Sequence, residues 1–283
     1  MHVKAQHLVR SGRLSCLIAD DEGFAVVYGE GGGCTLDVSG NVAGVWIPLR
    51  GELQLQIADM RRWLRPKQAL TTQHHGHTKA IGHASGRWLA LLGAERAWGR
   101  LLGHSPRSGL QLLPELHHAD RDLRRKAVAL ARATTTPELE SAMFALADRL
   151  AALQAPLYAA IARCPGRTHA RRMQVFLRLQ QVRNFMSACC DREIDNEALA
   201  RMANYSPCHF LRTFNMVYRE TPHAYLVNQR LQHARRLLHT SDMAVTEVAL
   251  ASGFENRSAF SRLFHRRFGA TACEMRRRGI AAV

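Results

Sequence analysis

An α+β chain is what this sequence predicts: a small strand-rich barrel, a helical segment, and an all-helical C-terminal part holding two helix-turn-helix units joined by one helix. Three observations carry that prediction. Short β-prone runs separated by Gly-rich or charged turns fill residues 13–98. From Pro114 the texture becomes rich in Ala and Leu, with apolar residues at helical spacing. A repeat of about fifty residues occupies the final third, and repeats of that period reveal architecture.

The strand runs are Val26-Val27-Tyr28, Thr35-Leu36-Asp37-Val38, Val45-Trp46-Ile47, Leu53-Gln54-Leu55-Gln56-Ile57 and Arg87-Trp88-Leu89. Leu53, Leu55 and Ile57 alternate with Gln54 and Gln56, the period of a strand with one wet face. Residues 1–113 therefore read as a small antiparallel barrel or sandwich. Leu116 to Ala133 and Pro137 to Arg163 read as two helices, the second with Leu139, Met143, Leu146 and Leu150 on one stripe. Between them Thr134-Thr135-Thr136-Pro137 supplies a Thr cap ahead of Pro at the first helical position. This segment, 114–165, suits packing or dimerisation. Cys164-Pro165-Gly166-Arg167 is the linker to a C-terminal part at 166–283.

The 283 residues are enough for two cores, and 47% hydrophobic with 22% charged residues is globular rather than disordered. Formal net charge is +16. From Gly166 onward 19 Arg and Lys face 9 Asp and Glu, so the excess is densest there and points to a polyanion, nucleic acid before membrane. Because 35 of the basic residues are Arg and 4 are Lys, codon bias is a competing source of the excess. Seven cysteines without a C-x-x-C pair give neither a disulfide framework nor a zinc site, and predict free thiols in a reducing cytosol. The first residues lack the apolar core of a signal peptide, and the apolar stretch 142–162 is broken by Asp148, Arg149, Gln154 and Pro156. A soluble cytoplasmic protein is expected.

In the repeat, Leu199-Ala200 corresponds to Val248-Ala249 and Asn204-Tyr205 to Gly253-Phe254. After a one-residue insertion, Phe210, Arg212, Phe214, Tyr218 and Thr221 match Phe260, Arg262, Phe264, Phe268 and Thr271. Each copy reads as helix, tight turn, helix, spanning 195–218 and 244–268. Asn204 and Gly253 take the left-handed turn position, and Tyr205 and Phe254 plug the corner. Ser206, followed by Pro207, and Asn256 are the expected caps. The inward aromatics read as core, not as base-stacking platforms.

In this plan the second helix enters the major groove of duplex DNA. The candidate contacts are Ser206, Pro207, Cys208, Leu211, Arg212 and Asn215 on the first reader, and Asn256, Arg257, Ser258, Ala259, Arg262 and His265 on the second. Arg pairs with guanine and Asn with adenine, whereas Ser, His and helix-end amides also hold phosphates. The first reader has one Arg, so it leans on apolar contact with thymine methyls. Pro222 to about His239 reads as a connecting helix of roughly 27 Å. With its corner turns it fits readers about 34 Å apart in successive grooves.

At these residues the chain resembles the AraC/XylS family of bacterial transcription regulators. Gly253-Phe254-Glu255-Asn256-Arg257-Ser258-Ala259-Phe260-Ser261-Arg262-Leu263-Phe264-His265-Arg266-Arg267-Phe268-Gly269 follows its second-helix signature nearly position by position. Arg230-Leu231 with Ala234 and Leu237-Leu238 looks like its linker helix. The likeness covers about 171–278. Two departures are Ala272, where the family has Pro, and Met275, where it has an aromatic; both bear on the packing of the last helix. The resemblance implies an N-terminal cupin-like barrel with dimerisation helices. It further implies a small-molecule effector, a homodimer, and activation of transcription with RNA polymerase as partner, with no enzyme activity and no cofactor. Ile47 to Leu53 looks like the strand-turn-strand step of such barrels.

His74, His75 and His77 follow the strand-like Ala69-Leu70-Thr71-Thr72, with His83 and His104 further on. His75 and His77 have the H-x-H spacing of metal-binding cupins, but no Glu follows until Glu95. A cupin-type metalloenzyme or metal sensor with a DNA-binding tail is thus the alternative to a ligand-responsive regulator. Otherwise these histidines form a solvated turn or line an effector pocket with Trp46 and Trp88. Trp46, Trp63 and Trp88 read more simply as core.

Overall fold

The computed structural model describes residues 2–10, 12–17, 23–57, 60–83, 85–103 and 111–280, with the side chains of 2–8, 17, 60, 74–76 and 278–280 outside that set. The chain divides into two compact units, Met1–Tyr158 and Ala159–Val283.

In the first unit the strands are β1 (His2–Val9), β2 (Arg13–Leu17), β3 (Gly23–Glu30), β4 (Thr35–Arg50), β5 (Leu53–Ile57), β6 (Met60–Leu64), β7 (Gln68–Gly82), β8 (Arg87–Gly93) and β9 (Glu115–His118). Helix α1 (Glu95–Gly103) precedes β9, and α2 (Arg121–Arg132) and α3 (Thr136–Arg163) follow it, residues 159–163 of α3 being counted in the second unit. The strands form one sheet in the order β1-β3-β8-β4-β7-β5-β6, with β2 on β4 and β9 on β7. The β1–β3 and β2–β4 pairs are parallel, so the sheet is mixed rather than purely antiparallel. Its path ends on β1 and β6 and does not close among the described residues.

Strands β3 and β8, and β4 from Val42 to Pro48, are buried on both faces. Phe24, Val26, Ala43, Val45, Ile47, Leu89 and Leu91 pack on α1, α2 and α3 through Trp98, Leu101, Leu123, Leu130, Met143, Leu146 and Leu150. The alternate residues Ala25, Val27, Val42, Trp46, Trp88, Ala90 and Leu92 meet Leu36, Leu53, Leu55, Leu64 and Leu70 on the other side. That accounts for their continuous apolar runs, where a half-wet strand would alternate. Each Val, Leu, Ile or Phe side chain among these that is fully withdrawn from water contributes roughly 1.5–3 kcal/mol.

Four details depart from the sequence reading. Trp63 is not core: on the short strand β6 it stands 47% exposed. The runs 35–38 and 45–47 belong to one strand, β4, which Gly40 (φ 105°) crosses without breaking its pairing to β7. The stretch from Leu116 opens as β9, and its helix starts only at Arg121, behind the Asp120 cap. The His74–His77 segment is an interior part of β7, not a turn.

The second unit contains α4 (His169–Ala188), α5 (Asn196–Met202), α6 (Pro207–Tyr218), α7 (Pro222–Thr240), α8 (Val245–Ala251), α9 (Arg257–Phe268) and α10 (Ala272–Ile280). Helix α10 packs despite Ala272 and Met275. Ala272 is buried with Leu231, Ala234, Leu238 and Phe264, and Met275 rests against that cluster. Thr271 and Glu274 cap each other at its start. Among the described residues no helix is long and apolar enough to cross a membrane.

Candidate nucleic-acid interface

The two helix pairs are built alike. In the first, Asp195 Oδ1 accepts from the Ala198 amide and starts α5. Asn204 then turns left-handed at φ 56°, and the Tyr205 amide donates to the Ala200 carbonyl at 2.9 Å. In the second, Glu247 accepts from the Ala244 amide to start α8. Gly253 turns at φ 81°, and the Phe254 amide donates to the Ala249 carbonyl at 3.0 Å. These bonds satisfy carbonyls that a helix end otherwise leaves open.

Both reader helices have 12 residues and stop at a left-handed cap, Arg219 (φ 61°) and Gly269 (φ 66°). Their inner stripes are aromatic ladders. Phe210, Phe214 and Tyr218 stack at 5.7 and 4.7 Å, and Phe254, Phe260, Phe264 and Phe268 at 5.2, 5.3 and 4.7 Å. Phe210, Phe214, Phe260 and Phe264 are fully buried, so these rings are core. Asn256 caps α9 through Oδ1, which accepts from Ala259. Ser206 holds the corresponding position before α6, followed by Pro207, and makes no side-chain cap bond.

What the ladders leave facing outward is the candidate interface. Ser206, Pro207, Cys208, Leu211, Arg212 and Asn215 are exposed, as are Asn256, Arg257, Ser258, Arg262 and His265; Ala259 is half-buried. Arg212 and Arg262 occupy the same position in helices of equal length, and both are free of carboxylate partners in their own helix, since neither α6 nor α9 contains Asp or Glu. The second face carries additional Arg266, and a shallow hollow of about 350 Å³ lies among Ala259, Arg262, Leu263 and Arg266. On the first face the equivalent of Arg266 is Met216, exposed like Leu211 beside it.

The supporting contacts carried no sequence signal, because each joins residues remote in the chain. Arg183 lies 4.8 Å over the rings of both Tyr218 and Tyr225, joining α4, α6 and α7. Tyr218 donates to the buried Gln180 at 2.9 Å. Arg163 donates to the Val217 carbonyl at 2.7 Å, satisfying the end of α6. Arg267 donates to Asn228, and Arg235 stacks on Phe268, which fixes α9 against α7. Arg230 donates from Nε to the Cys190 carbonyl and from Nη2 to the Arg192 carbonyl. All seven cysteines are free thiols, and burial pushes the Cys164 and Cys190 thiols up, against a reactive role for either.

The candidate effector residues do not converge. Trp46 and Trp88 lie in the apolar cluster of the sheet, 1% and 0% exposed. Trp46 donates to Thr72 Oγ1 at 3.0 Å. Trp88 lies across Gly29, and its indole N–H meets no acceptor among the described residues. His77 is at the surface, 3.2 Å from Asp37 and 3.3 Å from Ser39. The His74 and His75 side chains, and all of His104, lie outside the described residues. Among the described residues no three His, Cys, Asp or Glu side chains stand close enough to hold a metal ion.

Comparison with known proteins agrees with the repeat. A helix-turn-helix domain family matches residues 199–278. The HTH-type transcriptional regulator GlxA of Rhizobium meliloti (strain 1021) is 39% identical over 101 residues, covering 33% of this chain and 29% of that one. The probable transcription factor PqrA of Proteus vulgaris is 30% identical over 83 residues, covering 29% of this chain and 68% of that one. The solved DNA-binding domain of AdpA, in complex with a target DNA, shares 32% identity over 37% of this chain and 95% of its own, with a TM-score of 0.36. The match thus spans under a third of the Rhizobium relative and 41% of the regulator ExsA of Pseudomonas aeruginosa. With its paired helix-turn-helix units, the Gly253–Gly269 signature and these relatives, the chain belongs to the AraC/XylS family of bacterial DNA-binding transcriptional regulators.

Proposed function

We propose that this chain regulates transcription by laying α6 and α9 into successive major grooves of one operator. The observation that carries this is the pairing of Arg212 with Arg262: exposed, at the same position of two equal helices, each held by an equivalent aromatic ladder. The 19 residues of α7 span about 28 Å, enough with the corners to bridge one turn of duplex. The faces divide the work. Arg257, Arg262 and Arg266 make α9 the phosphate and guanine anchor, while Leu211, Asn215 and Met216 give α6 contacts for thymine methyls and adenine.

In the same reading residues 1–113 form a cupin-like sensor for a small molecule, 114–165 pair two copies, 166–283 bind DNA, and the bound dimer activates transcription through RNA polymerase. Selection of duplexes from a random pool by the full-length chain tests the DNA part. Enrichment of two short segments one helical turn apart is expected, and failure to enrich any sequence would reject it. Thermal-shift screening tests the sensor, since a ligand confined to the folded state raises stability.

A further inference from the structure

We infer that Arg230 is a positioning residue that sets the separation and angular phase of the two readers, and so decides which half-site spacing the protein accepts. This rests on the reading that α6 and α9 both bind DNA. Three segments meet at this one planar side chain. Arg230 projects from α7, the helix between the readers. Its Nε donates to the Cys190 carbonyl at 2.8 Å and its Nη2 to the Arg192 carbonyl at 2.9 Å, both in the loop that leads from α4 into the first pair. On the other side lies the corner of the second pair: a Cβ on Gly253 would stand 2.9 Å from Arg230 Nε and 3.0 Å from the Cys190 carbonyl. The corner thus packs directly on the clamp.

Most of the rest of the junction is apolar; Arg267 on Asn228 ties α9 to α7 at a single point, and neither it nor the Cys190–His233 contact forks onto two acceptors. Helix α7 buries Leu226 and Tyr225, the latter with its ring against Phe214, and Leu231, Ala234 and Leu238, packed on Phe254, Phe260 and Phe264. Apolar contact holds helices together but is non-directional, so it tolerates small rotations. A guanidinium fork on two carbonyls does not, because its donors are fixed in one plane. One added base pair moves a half-site by about 3.4 Å and turns it by about 35° around the duplex. A clamp at the α7 junction is what makes the protein sense that displacement.

The test uses the full-length chain and the duplex it selects from a random pool, together with versions carrying one base pair more or fewer between the two segments. The parent chain is expected to lose about tenfold or more on either altered duplex, since the second reader no longer engages. In Arg230→Gln, affinity for the parent duplex drops by about fivefold and the spacing penalty shrinks below about threefold. Arg230→Lys does the same, because an ammonium does not fork two carbonyls. Gly253→Ala, which displaces the guanidinium while keeping Arg230, gives a third approach.

Thermal melting identifies variants that fold. A folded Arg230→Gln with an undiminished spacing penalty overturns the inference while leaving DNA reading intact. A parent chain indifferent to spacing overturns it without any variant. Failure to select any sequence removes the DNA reading and the inference with it.

Discussion

Asn204 and Gly253 hold the same left-handed backbone conformation, at φ 56° and 81°, at equivalent corners of the two helix pairs. Their surroundings differ. No Cβ clash accompanies Asn204, which already carries one, whereas a Cβ at 253 meets Arg230 and the Cys190 carbonyl. Asn204→Ala is therefore expected to cost about 1 kcal/mol, the penalty of an ordinary residue in this conformation, and Asn204→Gly to stay within about 0.5 kcal/mol. Gly253→Ala adds the displacement of the clamp and should exceed about 2 kcal/mol. Far-UV circular dichroism during denaturation measures both; equal costs at the two corners would contradict the packing described.

Arg262→Ala should weaken binding to the selected duplex by about 1–3 kcal/mol while changing binding to random DNA little, if its fork reads a base. Replacing Arg257 and Arg266 by Ala should instead weaken both equally and lower the slope of log K against log salt by about 1 for each lost phosphate contact. Titrations across a salt series separate the two. A uniform loss for Arg262→Ala makes it a phosphate contact.

Gly29 pairs with Trp88 across β3 and β8, and any Cβ there would lie 2.1 Å from the indole ring. Gly29→Ala must expel the ring from the sheet core or shift the strands, at an expected cost of at least about 3 kcal/mol. All four tryptophans, Trp46, Trp63, Trp88 and Trp98, belong to the first unit, so intrinsic fluorescence reports on it alone. A red-shifted emission and an earlier denaturation midpoint are expected; unchanged emission would mean that Trp88 lies elsewhere.

His117 is buried 3.2 Å from Thr71 Oγ1, which also accepts from Gln154 of α3 at 3.3 Å. Burial lowers its pKa, with Glu115 acting against the shift. The folded chain therefore keeps His117 neutral while the unfolded chain takes up a proton as pH falls through about 6.5. The unfolded state then binds more protons, so this group's contribution is complete above that pH and declines as pH falls further. His117→Gln should flatten the loss of first-unit stability between about pH 7.5 and about pH 5.5. An identical slope in parent and variant, read by fluorescence, would count against it.

The second unit was largely legible because its determinants are local. Asn204, Gly253 and the aromatic spacing act within a few residues of themselves, and the repeat displays them twice. The clamp at Arg230 was not legible, since its carbonyl partners lie some forty positions away. In the first unit, Leu53–Ile57 alternates and was read correctly as a strand. Strands covered on both faces, such as Arg87–Gly93, lack that alternation and were read only in part. Met60–Leu64 is as long as Leu53–Ile57 but its adjacent Arg61 and Arg62 break the alternation, and the four-residue Glu115–His118 continues into helix-like sequence. Trp46 and Trp88 suit a pocket by type, but Thr72 and Gly29 turn them into core.

The arrangement of α2 and α3 bears on how two copies of this chain can hold each other. Leu139, Met143, Leu146 and Leu150 form the stripe that the helical spacing marks for packing or for dimerisation, and all four are already spent on the sheet of their own chain. Lifting these helices away would wet Val45, Leu89 and Leu91 as well, so they are a fixed wall and not a detachable arm. A seam between copies through α3 has to be drawn from the side chains it turns toward solvent.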